Sequence, residues 1–121
     1  MLNIYNTQGI WGFHGNDNQR RLNMALTIVN KIKDQENVIL AGDFNVYLNT
    51  KTIKNIELYL KNIFKNELKT TFNMARKENS SFATAVVDMI FVSNNIKIVG
   101  HYCPNVDISD HLPLVCTLEV E

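Results

Sequence analysis

Cysteine is scarce in this chain, and the two present exclude more than they offer. Cys103 and Cys116 have no CxxC spacing and no second pair beside them, which argues against a zinc module. Cys116, inside Leu114-Val115-Cys116-Thr117-Leu118, reads as a small core residue. Free thiols in a reducing compartment are the simpler reading, with a disulfide between neighbouring strands as the alternative. A surplus of charge is missing as well. Lysine plus arginine and aspartate plus glutamate number 12 each, for a formal net charge of zero. No global field therefore marks the chain for nucleic acid or a membrane surface, although local patches stay open. No apolar run approaches the ~20 residues that span a bilayer. The first residues, MLNIYNTQGIW, show no basic segment followed by an apolar one, so they do not read as a signal peptide. A cytoplasmic location is the default expectation. Internal repeats, low-complexity tracts and interdomain linkers are not evident.

What is there suits one packed domain. The chain has 121 residues, 45% of them hydrophobic and 20% charged, the balance of an ordinary globular protein. Leu2 to Thr7 alternates apolar and polar and predicts a strand. The Gly- and Asn-rich QGIWGFHGNDN predicts a loop. Asp17 is placed to cap a helix over about residues 18–33, with Leu22, Ala25, Leu26, Val29 and Ile32 as its inward stripe. Asn37 to Gly42 is a continuous apolar run, as in a strand covered on both faces. Thr50 or Thr52 opens a second helix to about residue 64, with Ile53, Ile56, Leu60 and Ile63 inward.

Lys51, Lys54, Lys61 and Lys65 lie largely off that stripe and read as a solvated face; contact with phosphates is the alternative. Glu57 and Lys61 form an i,i+4 pair that supports the solvated face. Residues 66–84 are polar and predict a loop around Ser80-Ser81, with a short strand near Lys69–Asn73. Val86 to Val92, Ile96 to Tyr102 and Leu112 to Val120 predict three more strands, the first two joined by a turn at Ser93-Asn94-Asn95. His101 in the second of these reads as solvent-facing. The order is that of an α/β (α+β) layered domain, with both helices on one face of a mixed sheet. The other face needs a further layer.

Three short motifs set carboxylates against apolar strands. Asp43 and Asn45 follow the strand that begins at Asn37, Asp88 interrupts VVDMIFVS, and Asp110-His111 stand in ISDHLPL. Each placement costs free energy unless a cation, a donor or water compensates it. Taken singly, each has a structural reading: Asp43-x-Asn45 as an Asx turn, Asp88 in an ion pair, Ser109-Asp110 as local capping. Three in one short chain suggest convergence.

GDFN at 42–45, DMIFVS at 88–93 and SDHLP at 109–113 resemble the C-terminal signatures of the endonuclease/exonuclease/phosphatase superfamily, which includes DNase I and the exonuclease III-type AP endonucleases. The resemblance runs from about residue 2 to 120. It implies half of a DNase I-like four-layer αββα sandwich and a metal-dependent phosphoesterase, most simply a nuclease-like phosphodiesterase. By the same resemblance Asp43 would orient and help deprotonate water. Asn45 would donate to the scissile phosphate. Asp110 would help bind Mg²⁺ or Mn²⁺. His111 would sit by the phosphate, with Asp88 accepting a hydrogen bond from its ring. In-line attack on a phosphate ester needs such a positioned water and charge relief on the non-bridging oxygens.

Two departures qualify the resemblance. Many members carry a Thr-His pair where this chain has Thr7-Gln8. Gln8, Trp11 and His14 are candidate substrate contacts, with packing and loop order as the alternative for Gln8 and Trp11 and a plain surface loop for His14. The superfamily's N-terminal half, which supplies a metal-binding asparagine and glutamate, has no counterpart here. A fragment of a longer enzyme is the favoured expectation. A separate N-terminal chain or a homodimer covering the apolar sheet face are alternatives. A non-catalytic half-domain serving interaction or assembly is the competing function.

Overall fold

The structure is a computed structural model that describes residues 1–76 and 85–121. The loop expected around Ser80-Ser81 lies outside the described residues. The elements run β1 (Asn3–Gln8), α1 (Gln19–Ile32), β2 (Val38–Asp43), α2 (Lys51–Glu57), β3 (Lys61–Asn62), β4 (Asp88–Val92), β5 (Lys97–Tyr102) and β6 (Val115–Glu119). β1 lies parallel to β2, and β4 lies antiparallel to both β2 and β3, so the mixed sheet has the order β1-β2-β4-β3. β5 and β6 form a separate antiparallel ribbon.

Both helices cover one face of the mixed sheet. Ala25, Val29 and Ile32 of α1 and Ile53 and Ile56 of α2 pack with Val38, Leu40, Met89 and Phe91 in one apolar cluster. The alternate residues Ile90 and Val92 join Ile63, Phe64 and Ile96 in a second cluster. Ile98, Cys116 and Leu118 of the ribbon pack against that cluster, as do Ile39 and Ala41. The helix-free face is thus partly covered by β5 and β6. Ile4, in register with Ile39, remains 68% exposed.

Five expectations from the pattern give way to tertiary contacts. Asn18, not Asp17, caps α1, its side chain accepting from the Arg21 N–H at 2.9 Å. Thr50 caps α2, its hydroxyl accepting from the Ile53 N–H at 3.3 Å, and Asp17 reinforces that start from afar: its carboxylate accepts from the Lys51 and Thr52 N–H groups at 2.8 and 2.9 Å and from the Thr52 hydroxyl at 2.6 Å. The inward stripe of α1 is also turned. Leu26 is exposed, and Arg21 is fully buried in its place. The Arg21 guanidinium donates to the Ile10 and Asn16 carbonyls at 3.1 and 2.7 Å, which makes its burial tolerable.

α2 is the third case, ending at Glu57 rather than near 64. Leu60 and Ile63 are buried as expected, but β4 offers a sheet edge, and Ile63 donates to the Ile90 carbonyl at 2.9 Å. Lys61 leaves the helix and donates to the Ile96 carbonyl at 3.0 Å, so the expected pair with Glu57 has no helical face to sit on. Lys51, Lys54 and Lys65 are exposed. His101 is the fourth. Its Nε2 lies 2.6 Å from Glu67 Oε2, and its ring meets Phe64 edge-on at 5.0 Å. The strand expected near Lys69–Asn73 is reduced to an isolated bridge between Phe72 and His111.

Candidate active site

The candidate groups gather where the strands run out. β2 ends on Gly42-Asp43, between the end of β1 and the start of β4. Gly42 is required there, because a Cβ would come 1.8 Å from the Thr7 carbonyl oxygen of β1. In register, Gln8, Asp43 and Asp88 are neighbours across three strands. Aligned residues share a face, so these three project from the helix-free side. Phe44 then turns into the core, where it meets Phe91 edge-on at 5.3 Å. Asn45 takes a left-handed conformation, φ 55°, that asparagine tolerates better than most residues. Its N–H donates to Asp43 Oδ1 at 2.9 Å, closing an Asx turn. Its carboxamide donates to the Gly9 carbonyl at 3.0 Å and is buried.

His111 arrives from the other end of the chain. Its Nδ1 lies 2.7 Å from Asp88 Oδ2, and its Nε2 lies 3.9 Å from Asp43 Oδ2. The ring packs at 4.7 Å against Phe72. A carboxylate on Nδ1 fixes the ring with its proton there and leaves Nε2 facing Asp43. The gap on that side exceeds a hydrogen bond. A cleft of about 220 Å³ opens beside these groups, lined by Asp43 and Asp88 and by Leu112 and Leu114.

The loop bearing His111 is anchored by Asn73, which is buried. Asn73 donates from its backbone to the Asp110 carbonyl at 2.9 Å and from its side chain to the Ser109 carbonyl and Asp107 Oδ1, both at 2.8 Å. Arg76 pairs with the same Asp107 carboxylate.

The electrostatics of Asp43 are strained. Burial pushes its carboxyl above the ordinary value, and the charges of Asp88 and Asp110 push the same way. The Asn45 N–H and His111 oppose this without prevailing. Burial also raises both thiols, Cys103 and Cys116, which are free; Asp88 adds to the effect at Cys103.

Asp43, Asp88 and His111 offer ligand atoms within 4.8 Å of one another, and Asp110 is not part of that group. Asp110 is exposed, with the Ser109 hydroxyl 3.3 Å from its Oδ1. Carboxylate oxygens suit a hard divalent cation, and the excess negative charge around Asp43 favours one. The number of donors is less favourable. Mg²⁺ takes six near-octahedral ligands, and His111 Nδ1 and Asp43 Oδ1 are already engaged in hydrogen bonds. These residues fit part of a cation's shell.

The weaker candidates spread outward. Gln8 is exposed beside Asp43. Trp11 is 69% exposed and meets Phe13 of the same loop edge-on at 5.2 Å. His14 is exposed and accepts from the Asn16 N–H at 3.2 Å. Thr71 and Asn73, which hold the cluster together, carry no signal in the sequence pattern.

A family model described as Endonuclease/Exonuclease/phosphatase family matches residues 3–111. The chain belongs to that family. Its members are in general hydrolases and usually use divalent metals. Among solved structures, the chain is similar to an endonuclease/exonuclease/phosphatase from Bacteroides vulgatus, at 26% identity and TM-score 0.68, over 85% of this chain and 45% of that one. A family protein from Bacteroides thetaiotaomicron matches at 23% identity and TM-score 0.66, over 83% and 44%. A mannosyl-6-phosphatase from the same species matches at 23% identity and TM-score 0.62, over 86% and 47%. These likenesses give the fold as DNase I-like. The chain spans less than half the length of these structures. A comparison with curated proteins finds no match. Among the described residues, no helix is long and apolar enough to cross a membrane.

Proposed function

We propose that this chain carries the water-activating and phosphate-facing part of a metal-dependent phosphoesterase, most simply a nuclease-like phosphodiesterase. The observation behind this reading is one imidazole set between two carboxylates, 2.7 Å from Asp88 and 3.9 Å from Asp43. In this reading Asp43 orients the attacking water and accepts its proton; a carboxyl whose pKa is raised is a better base than an ordinary one. His111 faces the phosphate with its orientation held by Asp88. Asn45 has a second amide hydrogen beyond the one given to Gly9, available to a phosphoryl oxygen. Asp110 would supply a carboxylate oxygen to Mg²⁺ or Mn²⁺. The cation would supply charge relief on the phosphate. The remaining half of the fold, or a second copy of the chain, would cover the helix-free face where Ile4 is exposed. A monomer by light scattering at high concentration would remove the second copy from consideration.

The test is a hydrolysis panel on the chain and on any longer form that contains it. DNA, RNA, bis(p-nitrophenyl) phosphate and phosphomonoesters are assayed with Mg²⁺, with Mn²⁺ and with EDTA. Phosphomonoesters belong in the panel because one relative of this fold is named a mannosyl-6-phosphatase. Hydrolysis that EDTA abolishes and Asp43→Ala removes is the expected result. No hydrolysis in any form would leave the non-catalytic half-domain as the better account.

A further inference from the structure

We propose that Thr71 is a positioning residue for the Asp88–His111 pair, an inference that rests on the phosphoesterase reading of that pair. Thr71 is fully buried. Its hydroxyl oxygen accepts from two consecutive backbone N–H groups, Val87 at 3.0 Å and Asp88 at 3.1 Å. Its carbonyl accepts from the Leu112 N–H at 2.8 Å, one residue past His111. Its own N–H donates to the Ala85 carbonyl at 3.1 Å. The next residue, Phe72, forms the isolated bridge to His111 and packs against its ring.

One residue therefore touches the backbone at or next to both partners of the pair, which are 23 positions apart in sequence. The need for it follows from the sheet. β3 pairs only with Phe91 and Val92, so it does not reach the stretch of β4 that carries Asp88. Buried amides there require an acceptor, and the Thr71 oxygen, with two lone pairs, takes two of them. Asp88 is thereby held at its N–H by the residue whose carbonyl holds the chain at Leu112. The 2.7 Å contact between Asp88 Oδ2 and His111 Nδ1 sits between these two anchors. Thr71 is not itself in contact with the reacting groups and acts through Asp88.

The test compares Thr71→Val, which keeps the shape and removes the acceptor, with Thr71→Ser, which keeps the acceptor. Two readouts are used: turnover of bis(p-nitrophenyl) phosphate by the most active form in the panel, and the His111 Nδ1–H proton resonance of the same protein without substrate. Thr71→Val is expected to lower kcat on the order of 10²-fold with KM little changed, since small misplacements of reacting groups have effects of that size. It should also broaden or lose the ring-proton resonance. Thr71→Ser should keep both within a few-fold of the parent. In an Asp88→Asn background, Thr71→Val should cause little further loss, because both changes act on one contact.

The proposal is overturned if Thr71→Val keeps the ring-proton resonance, if Thr71→Ser loses as much as Thr71→Val, or if the two losses multiply. Should Thr71→Val fail to fold by circular dichroism, Thr71→Cys replaces it, since a thiol is only a weak acceptor. If no form hydrolyses any phosphate ester, the phosphoesterase reading fails, while the ring-proton resonance still decides whether Thr71 sets the pair.

Discussion

Asp17, in the loop between β1 and α1, and Asp43, at the end of β2, have surroundings that pull their protonation in opposite directions. Burial acts to raise Asp17, but the Thr52 hydroxyl and the Thr52 and Lys51 N–H groups, with the Lys51 charge, hold it below the ordinary aspartate value. At Asp43 burial also raises the value, and there the neighbours are the carboxylates Asp88 and Asp110. Its one backbone donor, the Asn45 N–H, does not offset them. The first aspartate is met by donors and ties a loop to a helix. The second is held among like charges at the mouth of a cleft. Unfavourable placement of that kind is what a site tends to carry and a structural cap does not.

Asp43→Asn tests the contrast most strongly, because activity and stability should move apart. Loss of a positioned base typically lowers turnover by about 10²–10⁴-fold. The same change removes a carboxylate repelled by Asp88 and Asp110, while the oxygen of the new carboxamide can still accept from the Asn45 N–H. Removing such strain commonly stabilises a fold by about 0.5–2 kcal/mol. Turnover of the active form and urea unfolding at neutral pH check the two halves. A variant that lost both activity and stability would make Asp43 a structural residue like Asp17.

Asp17→Ala should do the reverse. It removes the acceptor for the first N–H groups of α2 and the bond to the Thr52 hydroxyl. Loss of a capping side chain costs about 0.5–2 kcal/mol. The seven residues of α2 have little helical stability of their own, so the effect should sit towards the upper end. Denaturant unfolding measures it. The Asp88–His111 contact should survive, and turnover per folded molecule should stay near that of the parent.

The same contrast marks how far the sequence could be read. Asp43, Asp88 and Asp110-His111 stood out because each interrupts or abuts an apolar strand, but singly each also had a structural reading, and it was the resemblance of the three motifs, in that order, to a known family that made them a candidate site. Pairing Asp43 with Asp88 in register needed only the strand ends to be roughly right. Capping was harder. Asp17 and Asn18 are adjacent and both are good caps, and the choice was made by Lys51 and Thr52, more than thirty residues away. Arg21 replaced Leu26 on the inner face because two loop carbonyls receive its guanidinium, a partnership that helical periodicity does not register. Leu60 and Ile63 fit a helix and a sheet edge equally well, so the end of α2 was hidden. Thr71 was illegible for a related reason: a threonine hydroxyl has no characteristic spacing to its partners, and these lie 16 and 17 residues on.

The smallest expected effect is in the pH dependence of stability, and its sign separates the two aspartates. Asp17 has a folded pKa below its ordinary value of 3.8. Its contribution is fully present above that value and is lost as pH falls through the lowered one. Asp43 has a folded pKa above 3.8. Between the ordinary and the raised value the unfolded chain has released this proton and the folded chain has kept it. Stability therefore falls as pH rises through that window and levels off above the raised value. The two windows meet at the ordinary aspartate value and do not overlap. Urea unfolding across acid to neutral pH, for the parent and each variant, isolates them. Subtracting Asp17→Ala from the parent should give a difference that shrinks on the acid side. Subtracting the parent from Asp43→Asn should give one that grows on the neutral side. If the second difference instead fell as pH rose, Asp43 would be a satisfied carboxylate after all, and the like-charge strain assigned to it would be wrong.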